Sequence, residues 1–279
     1  MSYELKDTIL YLDNVELGYG EGHDYKCVLK NINLEEKDVV REGYTTGQVI
    51  AVVGRSGRGK STLFKALTGL VKPKSGQVLI TELDTEDVTD AKDVSEGDVG
   101  FVDQKYTLFR HKTVEQIFKY ALRKSKLTKD QKKLTIAKYL GEWGLEKHKD
   151  QYPNELSGGQ RQRTAIIEQI LSSGHFMVLD EPFSGLDVGN IRDVKRSFEL
   201  IKNDHELNTI IYSTHELRLA AELADSIYVV GHPTIDGVQQ EYATIVKHFD
   251  LKAMGLAWQE FGPRHIELVK EIDAAMMAS

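Results

Sequence analysis

The chain has 279 residues, with 36 Lys and Arg against 43 Asp and Glu. That length suits one large domain or two small ones, and the mildly acidic balance argues against a general nucleic-acid binder. The single cysteine, Cys27, excludes a disulfide framework and a cysteine-built zinc site, and it reads as a small, partly buried hydrophobe.

The opening stretch MSYELKDTILYLDN has no basic start followed by an apolar core, so no signal peptide is expected. No run approaches the ~20 apolar residues that a membrane helix needs. From Thr8 to Leu34, short apolar runs (ILYL, CVL, INL) alternate with turn-like residues such as Gly18, Gly20 and Gly22. This pattern predicts an antiparallel β-layer at the N-terminus. VIAVV, from Val49 to Val53, is a short unbroken apolar run of the kind found in buried strands. It leads into a glycine-rich loop and then STLFKALTGL, which has helical spacing and stops at Gly69.

The texture then changes. TVEQIFKYALRK and TKDQKKLTIAKYLGEW are helix-like, and no strand candidate appears between about 107 and 156. This predicts a mainly helical subdomain at about 107–157, inserted into an α/β body. Strand–helix alternation resumes with FMVLD, a helix around Ile191 to Lys202, TIIYST, HELRLAAELA and SIYVVG. Such alternation implies a mostly parallel sheet flanked by helices. Residues 241–279, including HIELVKEIDAAMM, read as a small helical extension beyond a main domain at 1–240. Acids crowd Glu82 to Asp98 and bases crowd Arg123 to Lys133; both read as solvated surface.

Three stretches carry chemistry. Gly54-Arg55-Ser56-Gly57-Arg58-Gly59-Lys60-Ser61 fits G-x-x-x-x-G-K-[ST], and Thr62 extends it. It lies between a buried-type strand and a helix start, the context in which such a loop works. Gly57 and Gly59 let the backbone curl so that amides face phosphate oxygens, and the helix start adds its positive dipole end. Lys60 can reach the outer phosphates, and the Ser61 hydroxyl can ligate Mg²⁺. Arg55 and Arg58 add positive charge and receive no catalytic role.

The second stretch is FMVL followed by Asp180-Glu181-Pro182. A carboxylate at the carboxyl end of a buried strand lies on the edge where such sheets bind ligands. Asp180 can hold Mg²⁺ there, and Glu181 can orient a water in line with the terminal phosphate. Positioning matters most in this chemistry, because phosphoryl transfer is loose and largely dissociative. In the third stretch, TIIYST repeats the design and places His215 just past a strand end, in reach of the same phosphate.

With these parts in order, residues 8 to 240 resemble an ATP-binding cassette (ABC) ATPase. GRSGRGKST resembles that family's Walker A, FMVLDE its Walker B with the catalytic glutamate, LSGGQ (Leu156 to Gln160) its signature, and SGLD (Ser184 to Asp187) its D-loop. The resemblance implies a P-loop NTPase core binding ATP and Mg²⁺. Gly54, Ser56, Gly57, Gly59, Lys60, Ser61 and Thr62 would hold nucleotide, with Asp187 contributing from the D-loop. Ser61, Asp180 and Gln104 (the Q-loop position) would serve the metal, and Glu181, His215, Gln104 and Lys60 the hydrolysis. Tyr19 sits where the family stacks an aromatic on adenine.

The resemblance also explains why one chain has two phosphate-binding devices. In the family, two cassettes face head to tail, and the signature closes over ATP held by the other subunit. Ser157, Gly158, Gly159 and Gln160 would therefore act on a partner's nucleotide, in a homodimer or a heterodimer with a similar cassette. The resemblance implies a cytoplasmic protein, peripheral on the cell membrane, docked on permease subunits with or without a solute-binding protein, and with no nucleic acid among its partners. Tyr152-Pro153 before the signature and the general layout are similar to nitrate/sulfonate/taurine-type importer cassettes. A regulatory cassette coupled to a membrane complex without moving solute is the alternative. One departure stands out: Glu168-Gln169 occupy about the place where the family usually has Ala-Arg, which removes a cation from the signature helix.

Overall fold

The computed structural model describes residues 3–41, 47–81, 91–184, 188–205 and 207–279. Two long strands, β1 (Tyr3–Tyr19) and β2 (Lys26–Arg41), pair antiparallel and are joined by a short 3₁₀ turn. The short apolar runs read in the sequence are thus segments of two continuous strands. Their antiparallel register shifts several times, which interrupts the alternation. Strands β3 (Gln48–Val53), β4 (Ser75–Thr81), β5 (Ala91–Asp93) and β6 (Gly100–Val102) follow, with helix α1 (Lys60–Leu67) between β3 and β4. β4 and β5 extend the N-terminal layer in the order β2-β1-β4-β5.

From β6 onward the chain turns helical, with α2 (Val114–Ala121), α3 (Lys129–Glu142) and the signature helix α4 (Gly158–Ser172). Thr113 and Thr128 cap α2 and α3, each in a reciprocal capping box with a Gln three residues on. These local signals fix both helix starts. The chain then runs through β7 (Phe176–Leu179), α5 (Val188–Asp204), β8 (Thr209–Thr214), α6 (Leu217–Leu223), β9 (Ser226–Gly231), the hairpin β10 (Thr234–Ile235) and β11 (Val238–Gln239), β12 (Thr244–Asp250) and α7 (Pro263–Met277).

The central sheet has six strands in the order β12-β9-β3-β8-β7-β6. All its pairings are parallel except β12 with β9. Its strands alternate between two cores. Val49, Ala51 and Val53 face the helical side with Met177, Leu179, Ile210 and Val229, while Ile50 and Val52 face the N-terminal layer with Val178, Ile211 and Val230. A strand buried on both faces needs apolar residues at every position, which explains the unbroken VIAVV and FMVL runs.

The structure corrects the reading of the last forty residues as purely helical. Thr244–Asp250 is a strand on the edge of the central sheet. Its polar residues, Lys247 and His248 among them, carry no continuous apolar run, because an edge strand is only half covered. The acidic run at Glu82 to Asp98 falls partly outside the described residues, and Asp187 lies wholly outside them.

Candidate functional site

Four strand ends converge. β3 ends at Val53 and opens into the glycine loop, β7 ends at Leu179 before Asp180-Glu181, β8 ends at Thr214 before His215, and β6 ends at Val102 two residues before Gln104. Because these strands are parallel neighbours, all four sets of side chains emerge on one edge of the sheet. They line a cleft of ≈ 560 Å³ that includes Ser56, Gly57, Gly59, Lys60, Ser61, Thr62, Gln104, Asp180, Glu181 and His215. Val28, Ser184 and these ten residues complete its wall.

The loop's shape follows from its glycines. Gly57 and Gly59 have φ of 78° and 83°, in the left-handed region that side chains resist. A Cβ on Gly54 would lie 2.4 Å from the carbonyl oxygen of Val230, so no side chain fits at that turn either. Lys60, buried at 7 % exposure, donates to the carbonyls of Gly54 (2.8 Å) and Arg55 (3.3 Å). Its ammonium also lies 3.8 Å from Glu181. The lysine is therefore folded back into its own loop, with its charge at the mouth of the cleft.

The two acids are held differently. Ser213 Oγ donates to Asp180 Oδ1 at 2.7 Å and accepts from the Glu181 amide at 2.9 Å. One hydroxyl thus orients the first carboxylate and pins the backbone of the second. Glu181 leaves the strand with φ of 51°, which swings its carboxylate back over the cleft. Its Oε2 lies 2.7 Å from His215 Nδ1. Gln104 Nε2 donates to Ser184 Oγ at 3.2 Å, and the Ser184 amide donates to the Glu181 carbonyl at 3.1 Å. The Gln104 loop and the segment after Glu181 are joined through this serine.

Sequence reasoning missed Ser213 and Val28, and it named Ser184 only as the first residue of the D-loop stretch. The polar end of TIIYST was the available signal for Ser213, since two buried hydroxyls closing an apolar strand call for partners. Tyr19 lies beside the loop helix: its hydroxyl is 3.1 Å from Thr62 Oγ1, the Lys65 ammonium is 6.0 Å from its ring centroid, and the residue is exposed. Tyr25, six residues on, has its ring covered by the Lys74 ammonium at 3.7 Å.

The second device stands apart. Ser157 caps α4, accepting from the Gln160 amide while Gln160 Oε1 accepts from the Ser157 amide at 2.8 Å. Ser157 and Gly158 are exposed, and a Cβ at Gly158 would meet only open space. Neither belongs to the wall of the cleft. Behind them, Gln160 Nε2 is 3.0 Å from His148, and Gln162 Nε2 donates to the Pro182 carbonyl at 2.8 Å. The signature helix is thereby tied to the turn that follows Glu181.

The Glu168-Gln169 departure has a structural consequence. Gln169 accepts from the Phe101 amide in β6 at 3.1 Å, where it supports the strand. Glu168 is buried, and burial pushes its carboxyl up to about 7, partly offset by the nearby Arg123 charge.

Comparison with known proteins gives the family. The model of a family described as ABC transporter matches residues 40–184. A sulfate/thiosulfate import ATP-binding protein CysA of Synechocystis sp. is 34% identical over 229 residues, covering 82% of this chain and 60% of that one. A protein of Pyrococcus abyssi named as an ABC transporter ATP-binding protein is 32% identical over 252 residues, covering 89% of each. The chain spans only 60% and 55% of the length of the CysA proteins of Synechocystis sp. and Synechococcus elongatus. Among solved structures, cbiO1 of Clostridium perfringens, part of the transporter complex cbiONQ, superposes with a TM-score of 0.68 at 24% identity over 96% of both chains. A dimeric ATP-binding cassette in a post-hydrolysis state with ADP and Pi gives 0.65 at 24% identity over 87% of this chain and 99% of that one. These two likenesses are of fold. On the family match and the length of its relatives' alignments, the chain belongs to the ABC transporter family.

Proposed function

We propose that this chain is the ATP-hydrolysing subunit that energises a membrane ABC transporter, of the import type. The observation that carries the reading is the single cleft that gathers Lys60, Ser61, Gln104, Asp180, Glu181 and His215 at four strand ends. The residues fit the groups they would receive. The loop is a cradle that tolerates no side chain at Gly54, with a cation at its mouth. Ser61 and Asp180 offer one hydroxyl and one oriented carboxylate, which suits Mg²⁺, an ion that keeps most of its shell for phosphate and water. Held by Ser61 and Asp180, such a metal would supply positive charge against the charge that develops on the phosphate during hydrolysis.

Within that arrangement each side chain has a task. Lys60 exchanges its loop carbonyls for the outer phosphates. Glu181 orients a water and accepts its proton. His215, bonded to Glu181, holds that carboxylate in place and faces the terminal phosphate, while Gln104 links the cleft to the helical segment that follows. Tyr19 offers a ring to the base. Asp187 belongs to the same proposal, on sequence grounds.

The outward placement of Ser157 and Gly158 supports a head-to-tail dimer, in which each signature closes over the partner's nucleotide. No described helix is long and apolar enough to cross a membrane, so the reading assigns the membrane work to separate permease subunits, with the chain peripheral on the cytoplasmic face. The CysA relatives, together with the similarity to nitrate/sulfonate/taurine-type cassettes, favour a permease for small oxyanions; the choice of solute would lie in that permease and its binding protein.

Two measurements test this. The purified chain should hydrolyse ATP only with Mg²⁺, and Lys60→Ala should abolish it. Affinity purification from detergent-solubilised membranes should bring down a permease. Recovery of a division or regulatory complex without a permease would replace transport by regulation.

A further inference from the structure

Arg58 has no role in the scheme above, yet it ties the loop to a residue far along the chain. Its guanidinium donates to the backbone oxygen of Ser279 at 3.3 Å, across 221 residues of sequence. Ser279 follows the last turn of α7, where backbone oxygens lack helical partners and a cation is favoured. The residue is buried at 6 % exposure, and its hydroxyl donates to the Met276 carbonyl. Gly231, at the end of β9, gives it room: a Cβ there would collide with Ser279 Oγ. The neighbouring Val230 carbonyl is the atom that closes on Gly54 at the start of the loop. His232 beside it has its pKa lowered, first by burial and then by the Arg58 charge, so it does not compete as a cation.

α7 is itself firmly seated. Leu268, Ile272 and Met276 are buried in the core that also holds Leu219, Ala220 and Ala221 of α6, and α6 begins two residues after His215. α7 therefore packs against the helix that follows His215, and the two residues beyond α7 carry the chain to the glycine loop.

We infer that Arg58 is a positioning residue: anchored on the Ser279 backbone oxygen, it braces the loop between Gly57 and Gly59 from outside, in the curled form that receives phosphate. The bond runs away from the cleft, so the arginine acts through loop shape and not by touching nucleotide. The inference rests on the phosphate-loop reading of Gly54–Thr62.

The test compares the 279-residue wild type, Arg58→Ala, a chain truncated after Met277, and the two changes combined. KM for Mg-ATP should rise roughly tenfold in each single variant, with kcat within about twofold, as expected for loss of one charge-assisted hydrogen bond outside the reacting groups. The combination should be no worse than either alone, because both remove the same bond. Ser279→Gly keeps the backbone oxygen while losing the hydroxyl, so it should retain wild-type KM and separate the bond from general packing. A truncated chain with wild-type KM, multiplying effects in the combination, or loss of kcat at unchanged KM would each overturn the inference. Lys60→Ala is the control for the loop itself: normal ATP binding in that variant defeats the phosphate-loop reading, and the inference with it.

Discussion

Ser213 holds Asp180 from behind, its hydroxyl 2.7 Å from the carboxylate oxygen Oδ1. The serine Oγ also accepts from the Glu181 amide, so a fully buried serine on β8 sets the aim of two neighbouring acids just past the end of β7. If Asp180 holds the metal as proposed, removing such a support leaves its carboxylate present but free to rotate. In Ser213→Ala the Mg²⁺ concentration that half-activates hydrolysis should rise by roughly tenfold, the lower end of what outer-shell partners of metal ligands contribute. A titration of activity against Mg²⁺ at saturating ATP measures this. An unchanged midpoint would show that Asp180 does not serve the metal.

Glu181 is placed between Lys60 and His215, and it is the one acid of the pair that both of them reach. Glu181→Gln keeps the side chain's size and removes the charge that takes a proton from water. Mg-ATP binding should persist while turnover falls by about 10² or more. Uncleaved ATP between two subunits should then trap a closed dimer, visible as an earlier peak on size exclusion with Mg-ATP. Adding Lys60→Ala should abolish that peak. Near-normal turnover in Glu181→Gln would move the role of base to another group.

Much of this site was legible because its chemistry is local. Gly54 to Ser61 declares a loop, a helix start and a cation within eight residues, and Asp180 and His215 each end an apolar run. The elements that escaped notice are those held by partners distant in sequence. β4 is fixed by pairing with β1, and β12 by pairing with β9; neither carries an unbroken apolar run. β5 and β6 are three residues each, too short for a period to register. Ser184 and Ser213 are ordinary serines until the fold sets them against Gln104 and Asp180. The bond from Arg58 to Ser279 spans nearly the whole chain, and no motif announces it.

The separation of Ser157 from the cleft yields a prediction about order of events. In the proposed head-to-tail dimer its target is a phosphate on another subunit, so Ser157→Arg should leave ATP affinity of the monomer near normal while hydrolysis collapses. The substitution also removes the cap of α4, which costs about 1 kcal/mol of stability, so a melting curve belongs beside the assay. Affinity and turnover lost together, in a variant that still folds, would sink the head-to-tail arrangement.

Glu168 gives a pH dependence whose sign can be worked out. Its carboxyl is raised from 4.5 to about 7 by burial, with Arg123 pulling the other way. Between those two values the folded chain holds a proton that the unfolded chain has released. Unfolding therefore becomes easier as pH rises through that window, and the full penalty is present above about 7. Its size is on the order of 3 kcal/mol. Glu168→Gln is neutral at every pH and fits the same space. At pH 5, where the wild-type carboxyl is mostly protonated, the two proteins should have similar urea midpoints. At pH 8 the variant should be the more stable, with an unchanged m-value to show that both unfold from the same compact state. If wild type is instead the more stable at pH 8, the Arg123 charge outweighs burial, and the Glu168-Gln169 pair is held by an ion pair across the face between α4 and the turn after α2.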